Sequence, residues 1–387
     1  SEKQDVVQTS YQIQVVSGGQ LMWDSGRVES DQSVLVPYKG AALKEMTVYQ
    51  VQVSVWDNYG ELEQVTGNFE TGLMREENWN AKWITHTLPA EETACPVFVR
   101  SFSLDRSVKR ARLYATACGV YEAFINGRKT GDLFMAPGWT SYHHRLQYQT
   151  YDVTDMLNDR NELLAVVGGG WAVGSFTYKR RNRVYAKRQA LLGELRILYT
   201  DGTGETIGTN EEWEVTEEGN YKETEFYNGE VYDATVDLEK ISWKKASFEQ
   251  VKIHPKIMAQ YGAPVRAHEE FRPVQITRAK SGMLIYDFGQ NFAGVIHAAI
   301  RGRQGQKVEF RHAEILMDGE LYTEPLRTAK QEAVYICKDG EQTYSPKMTY
   351  MGFRYVGVRG IEEDQLELTA LALYSDVEDN GNFSLLQ

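Results

Sequence analysis

The chain has 387 residues, with 42 lysines and arginines against 54 aspartates and glutamates, and a formal net charge of −12 at pH 7. That balance excludes nucleic-acid binding through overall charge. A composition of 42% hydrophobic and 25% charged residues is too apolar for disorder, and the length admits several domains, each able to bury a core.

No apolar run reaches about 18 residues, so no membrane-spanning helix is expected, and no signal peptide is visible behind Ser1-Glu2-Lys3. Cys95, Cys118 and Cys337 are odd in number and widely spaced, which suits reduced, buried thiols and favours a cytoplasmic location.

In chain order, Tyr11–Val16 and Tyr49–Trp56 alternate apolar with polar residues, as half-buried antiparallel strands must. Asn126-Gly127, Asp201-Gly202, Asn228-Gly229, Asp318-Gly319 and Asp339-Gly340 accept the positive φ angles of tight hairpins. Helical evidence is confined to Asp152–Leu157, a single turn capped by Asp152 or Thr154. The reading is an all-β chain of three consecutive antiparallel β-sandwiches. The expected boundaries are 1–75, 76–258 and 259–377, followed by a linker at 378–387. Phe383 and Leu385-Leu386 are expected to form an exposed apolar patch.

Templates for catalysis fail one by one. Gly168-Gly169-Gly170-Trp171 has no phosphate-binding lysine behind it and no helix to open, so it reads as a strand end or bulge. No nucleophile elbow, Cys-x-x-Cys pair or His-Glu-x-x-His helix occurs, and His143 and His144 as strand neighbours would face opposite ways. Glu314, Asp318, Glu320 and Glu324 cluster around one hairpin, and Glu230 and Asp233 sit near another. Proximity in sequence does not give the separated pKa values that acid and base roles require. The segment 178–183, with Lys187 and Arg188, reads as a solvated basic loop, with an anion or uronate site as the alternative. Trp139 beside Tyr142, and Trp171 beside Phe176, offer flat faces for sugar stacking, although strand tryptophans are ordinarily core.

Several ordered blocks resemble the non-catalytic front half of the bacterial α-L-rhamnosidases, glycoside hydrolase family 78. Trp23-Asp24-Ser25-Gly26 with Tyr49–Asp57 resembles their fibronectin-type-III-like first domain, without its usual opening strand, which implies a clipped N-terminus. Gly119–Gly127, Ala136–Thr140, Gln147–Thr154 and Tyr227–Ala234 resemble the family's N-terminal jelly roll. Tyr286–Gly294, Arg311–Leu316, Asp318–Glu324 and Gly352–Val356 resemble the concanavalin-like sandwich before the catalytic barrel.

The resemblance implies support domains of an enzyme that hydrolyses terminal α-L-rhamnose with inversion. The family's catalytic carboxylates lie in a helical barrel, so no catalytic residue is carried over and the chain alone is expected to be inactive. Its implied partners are rhamnosides, the missing barrel and, in a purely bracing role, a homodimer partner; nucleic acid and membrane are not among them.

The jelly roll is also similar to a rhamnose-binding module that uses calcium. By that likeness Asp132, Asn182, Glu230 and Asp233 are the expected calcium oxygens, with Trp139 or Trp171 as the stacking face and Asn182 beside the sugar. Where the module carries an acid–amide pair this chain has Ser141-Tyr142, and its second loop carries Lys187 in place of the module's proline.

Overall fold

The computed structural model describes residues 3–89, 92, 95–175, 177, 179–248, 255–378 and 381. Phe176, Phe383, Leu385 and Leu386 therefore lie outside the described residues, as does most of the expected linker. The chain divides into two compact units, 1–78 and 79–387. Strands dominate both, and among the described residues the one α-helix spans only Gly170–Val173. A 3-10 turn at Thr154–Met156 stands where the sequence places a single turn. Asp152 Oδ1 fixes its start by accepting from the Thr154 amide at 3.1 Å and from its hydroxyl at 2.6 Å. No helix among the described residues is long and apolar enough to cross a membrane.

The first unit is a single sheet in the order Gln20–Asp24, Gln8–Ser17, Val48–Asp57, Leu62–Glu70, with Val28–Glu29 also pairing to Gln8–Ser17. Period-two alternation sets its register: Tyr11, Ile13 and Val15 lie opposite Val55, Val53 and Val51, so one face is apolar. Tyr49 is buried on the same sheet, stacked on Phe69 at 5.2 Å.

The second unit opens with two six-stranded sheets packed face to face. Phe98, Tyr121, Leu163 and Val215 from one interdigitate with Leu113, Ala115, Leu191 and Leu195 from the other around buried Trp213. A ten-stranded sheet follows, organised around the 19-residue strand Leu284–Gly302, which pairs with Met351–Arg359, Leu366–Ser375, Gln275–Arg278 and Gly340–Tyr344. Phe310, Tyr335, Phe353 and Val356 fill its core. A further apolar cluster joins the two layers through Val97, Val120 and Val166 on one side and Val295, Met348 and Leu373 on the other.

Two strand exchanges cross the linear order. The hairpin Tyr221–Glu225/Gly229–Asp233 leaves the two-sheet middle sandwich and enters the ten-stranded sheet, where Gly229–Asp233 pairs in parallel with Glu332–Ile336. Lys256–Ala259 runs back to pair in parallel with Arg145–Asp152. Turn chemistry is as expected at Asn126-Gly127 and Asp318-Gly319, where both residues have positive φ (52° and 76°; 54° and 81°). At the other three pairs only the glycine is left-handed. All three cysteines are free and buried; burial pushes the Cys95 and Cys118 thiols up to about 12 and that of Cys337 to about 11.

A candidate carbohydrate-contacting site

The glycine run is where the site begins. The strand Arg160–Gly168 ends there, and Gly170, at φ +48°, turns directly into the four-residue helix, contrary to the expectation that no helix follows. A Cβ on Gly168 would lie 2.6 Å from Thr224 Cγ2, and one on Gly170 would lie 2.7 Å from the Val120 amide. The absence of side chains lets the helix sit directly against the hairpin that follows Tyr221. Beyond it, Thr177, Arg180 and Arg183 all have φ between 52° and 66°, a costly conformation for residues with side chains and one that clusters at binding loops.

This loop is not a solvated basic ribbon. Arg180 donates to Asn228 Oδ1, to Thr328 O at 3.1 Å, and lies 3.7 Å from Glu225 Oε1. Arg183 donates to the carbonyls of Lys187 and Glu92, each at 3.2 Å. Glu225 is braced in turn: Oε2 accepts the Ser175 amide and Oε1 the Asn228 amide at 3.0 Å. Asn228 donates through Nδ2 to Glu223. Together Arg180, Asn182, Glu223, Glu225 and Asn228 border a cavity of about 200 Å³. Arg180, Glu225 and Asn228 were not legible as a unit; the signals were separate, Arg180 within the basic segment 178–183 and Asn228-Gly229 as a turn.

An aromatic strip borders the same helix and hairpin. Trp139, 56% exposed, lies nearly parallel to Trp171 (9°, centroids 6.3 Å apart). Trp171 meets Phe226 at 4.4 Å, and Phe226 meets exposed Tyr350 at 5.7 Å. Trp139 Nε1 donates to the Tyr185 hydroxyl at 3.4 Å. Its sequence neighbour Tyr142 is instead buried, with its hydroxyl donating to Gly138 O and its pKa pushed well up by burial. A half-exposed indole beside amide, carboxylate and guanidinium groups can hold the C–H face of a sugar ring while bonding its hydroxyls.

The expected calcium oxygens do not gather. Exposed Asp132 pairs with Arg266 at 3.0 Å. Asp233 Oδ1 caps a turn by accepting the Thr235 amide and hydroxyl at 3.0 and 2.6 Å. Glu230 is buried and accepts from the Tyr344 hydroxyl at 3.0 Å, the Lys347 amide at 3.2 Å and the Thr224 hydroxyl at 3.3 Å. Only Asn182 borders the cavity. Among the described residues no group of three or more histidine, cysteine or carboxylate side chains could hold a metal ion, and calcium needs six to eight oxygens. At the cavity itself, Glu225 already accepts two N–H groups beside a guanidinium. The residues present do not fit the ion.

Nor do the carboxylates make an acid–base pair. Glu320 is held below its usual range, first by the Ser281 hydroxyl. Glu314 accepts from Asn291 at 3.1 Å. Glu230, raised to about 7 by burial, is only 1% exposed and out of reach of substrate.

A strand-built array that carries an arginine-braced cavity and a separate aromatic strip defines an assembly of β-domains. Three family descriptions match it in succession: "Rha78A-like, N-terminal immunoglobulin domain" at 1–75, "Alpha-L-rhamnosidase N-terminal domain" at 106–278, and "Bacterial alpha-L-rhamnosidase concanavalin-like domain" at 277–374. The chain is 30% identical to an α-L-rhamnosidase of Alteromonas sp. (strain LOR), over 99% of this chain and 45% of that protein. It is 40% identical to one from Streptomyces avermitilis over 66% of this chain and 26% of that protein.

Among solved structures, native α-L-rhamnosidase from Aspergillus terreus superposes with a TM-score of 0.86 at 32% identity, covering 98% of this chain and 46% of that one. The S. avermitilis enzyme complexed with L-rhamnose gives 0.87 at 27% identity, covering 97% and 55%. The chain carries domains matched to the N-terminal β-domains of α-L-rhamnosidases and spans about half the length of the relatives it matches.

Proposed function

We propose that these domains are the non-catalytic support of an enzyme that hydrolyses terminal α-L-rhamnose from glycosides, and that the middle sandwich contacts carbohydrate. The support reading rests on the succession of three matched β-domains together with the lack of any helix longer than four residues among the described ones. Inverting hydrolysis needs two carboxyls about 6.5–9.5 Å apart with a water between them, and no such accessible pair with separated pKa values occurs among the carboxylates described above. Incubated with an aryl α-L-rhamnoside, this chain should show no turnover while the full-length Alteromonas sp. relative does. Turnover by this chain would reject the reading.

Carbohydrate contact rests on the exposed Trp139 face, stacked on Trp171 of the short helix whose Val173 lines the cavity. Titration with L-rhamnose, followed by calorimetry or by Trp fluorescence, is expected to show binding that Trp139→Ala weakens about tenfold, from the loss of one stacking ring. A chelator should leave the affinity unchanged, because Arg180 and backbone amides already surround Glu225. No binding in either condition removes the sugar site and leaves a purely bracing role. Binding abolished by chelator would restore calcium.

A further inference from the structure

At one end of the ten-stranded sheet, three chain reversals meet around a groove of about 570 Å³. Its floor is apolar, made by Leu284, Val358 and Ile361, all at least nine-tenths buried. Its rim carries three guanidinium groups, Arg278, Arg303 and Arg359, against one lining carboxylate, Glu362. Glu362 lies 3.3 Å from Arg278. Among the described residues neither the Arg303 nor the Arg359 side chain makes a hydrogen bond or a close ion pair, although the charge of Arg359 helps to hold Glu320 below its usual range. In a chain of net charge −12 this is a local inversion of sign.

The rim is held in shape without the arginines' help. Gln306 accepts the Arg303 amide at 3.0 Å and donates through Nε2 to Gly360 O at 2.7 Å, tying the turn after Gly302 to the turn after Arg359. Gly360 has φ +84°, and a Cβ there would come within 2.0 Å of Lys307 O. That position must be glycine, and the close backbone approach fixes where Arg359 leaves the sheet. The lining residue Ser281 anchors Glu320 through its amide and hydroxyl at 2.8 and 2.7 Å, so this carboxylate, which also feels the charge of Arg359, is already hydrogen-bonded.

Uncommitted guanidinium forks on a pre-set frame recognise planar anions in a bidentate manner, which an ammonium cannot do. An apolar floor adds a surface for the C–H face of a ring. We infer that this groove binds a carboxylate-bearing sugar, a uronate unit of an acidic glycan, on the third sandwich and apart from the Trp139–Trp171 strip. That the ligand is a sugar rests on the carbohydrate reading above; that it is anionic rests on the groove alone.

The test is titration of this chain with D-glucuronate, D-glucose and inorganic phosphate at low ionic strength, followed by calorimetry, for the native chain and for Arg303→Ala/Arg359→Ala. Circular dichroism checks that the variant is folded, which surface positions should permit. Glucuronate should bind and glucose should not. Binding should fall at least about tenfold in the double alanine variant, fall less in Arg303→Lys/Arg359→Lys, and weaken as salt is raised. Trp139→Ala should leave it unchanged, so failure of the rhamnose site and failure of this groove are read separately. Equal affinity in the double alanine variant, or equal binding of glucose, would overturn the assignment. Binding of phosphate without glucuronate would overturn the sugar class and leave an anion site only.

Discussion

Replacing Glu230 by alanine is expected to cost several kcal/mol of stability, and replacing it by glutamine to flatten the pH dependence of unfolding. The carboxylate is the acceptor for the Tyr344 hydroxyl and for the Lys347 amide, and alanine leaves those donors buried without a partner, at roughly 1–3 kcal/mol each.

The pH effect has a definite sign. Burial raises the carboxyl to about 7, against the hydrogen bonds from Lys347, Tyr344 and Met348 that lower it. The folded state therefore binds this proton more tightly than the unfolded state. The associated stability is complete below the ordinary carboxylate range and is lost as pH rises to about 7, by on the order of 3 kcal/mol in all.

Buried His86 and His312, lowered to about 4 chiefly by desolvation, act oppositely, adding stability as pH climbs from 4 toward 6.5. Subtracting the Glu230→Gln curve from the native curve cancels them. Thermal unfolding of both chains between pH 5 and 8 should show the difference closing as pH rises. Parallel curves would mean that Glu230 does not titrate in this window.

Phe353→Ala should be comparably damaging, at about 3–5 kcal/mol. The ring is fully buried and touches Phe292 at 4.7 Å, His312 at 4.8 Å and Phe288 at 5.9 Å between centroids. Phe353→Leu keeps most of the volume and should lose about half as much or less. Denaturant melts would measure both, and an alanine variant within 1 kcal/mol of native would show that the pocket collapses around the deletion.

The same neighbourhood explains why the third set of family-like blocks could be read from sequence. Tyr286–Gly294, Arg311–Leu316 and Gly352–Val356 are separate in the chain but meet in one node. Arg354 donates to both Asp287 oxygens at 2.8 and 2.9 Å, His312 stacks edge-on against Phe353, and Asn291 bonds Glu314.

Strand identity was legible because alternation and turn residues are local signals, as at Tyr11–Val16 and Asn126-Gly127. Partner choice was not. Nothing near Gly229 announces that it will lie in parallel beside Glu332, since the pairing is decided by which edge is free once both sandwiches have formed. The site shows the same division. Trp139 and Trp171 could be named as stacking candidates, but their meeting across 32 positions could not, and Tyr142 took the buried place. The expected calcium oxygens failed for a related reason: Glu230 sits opposite Thr224 on the inward face of its hairpin, whereas Asp233 ends the same strand in a turn.

The exchanged hairpin means that cutting the chain after Ala259 would strip Glu332–Ile336 of its parallel partner, and a cut between Asp233 and Lys256 would also strip Arg145–Asp152 of its own. The two sandwiches of the second unit are therefore interlocked by strands, so recombination that keeps both intact must carry the segment from the first sheet of this unit through Leu366–Ser375 together.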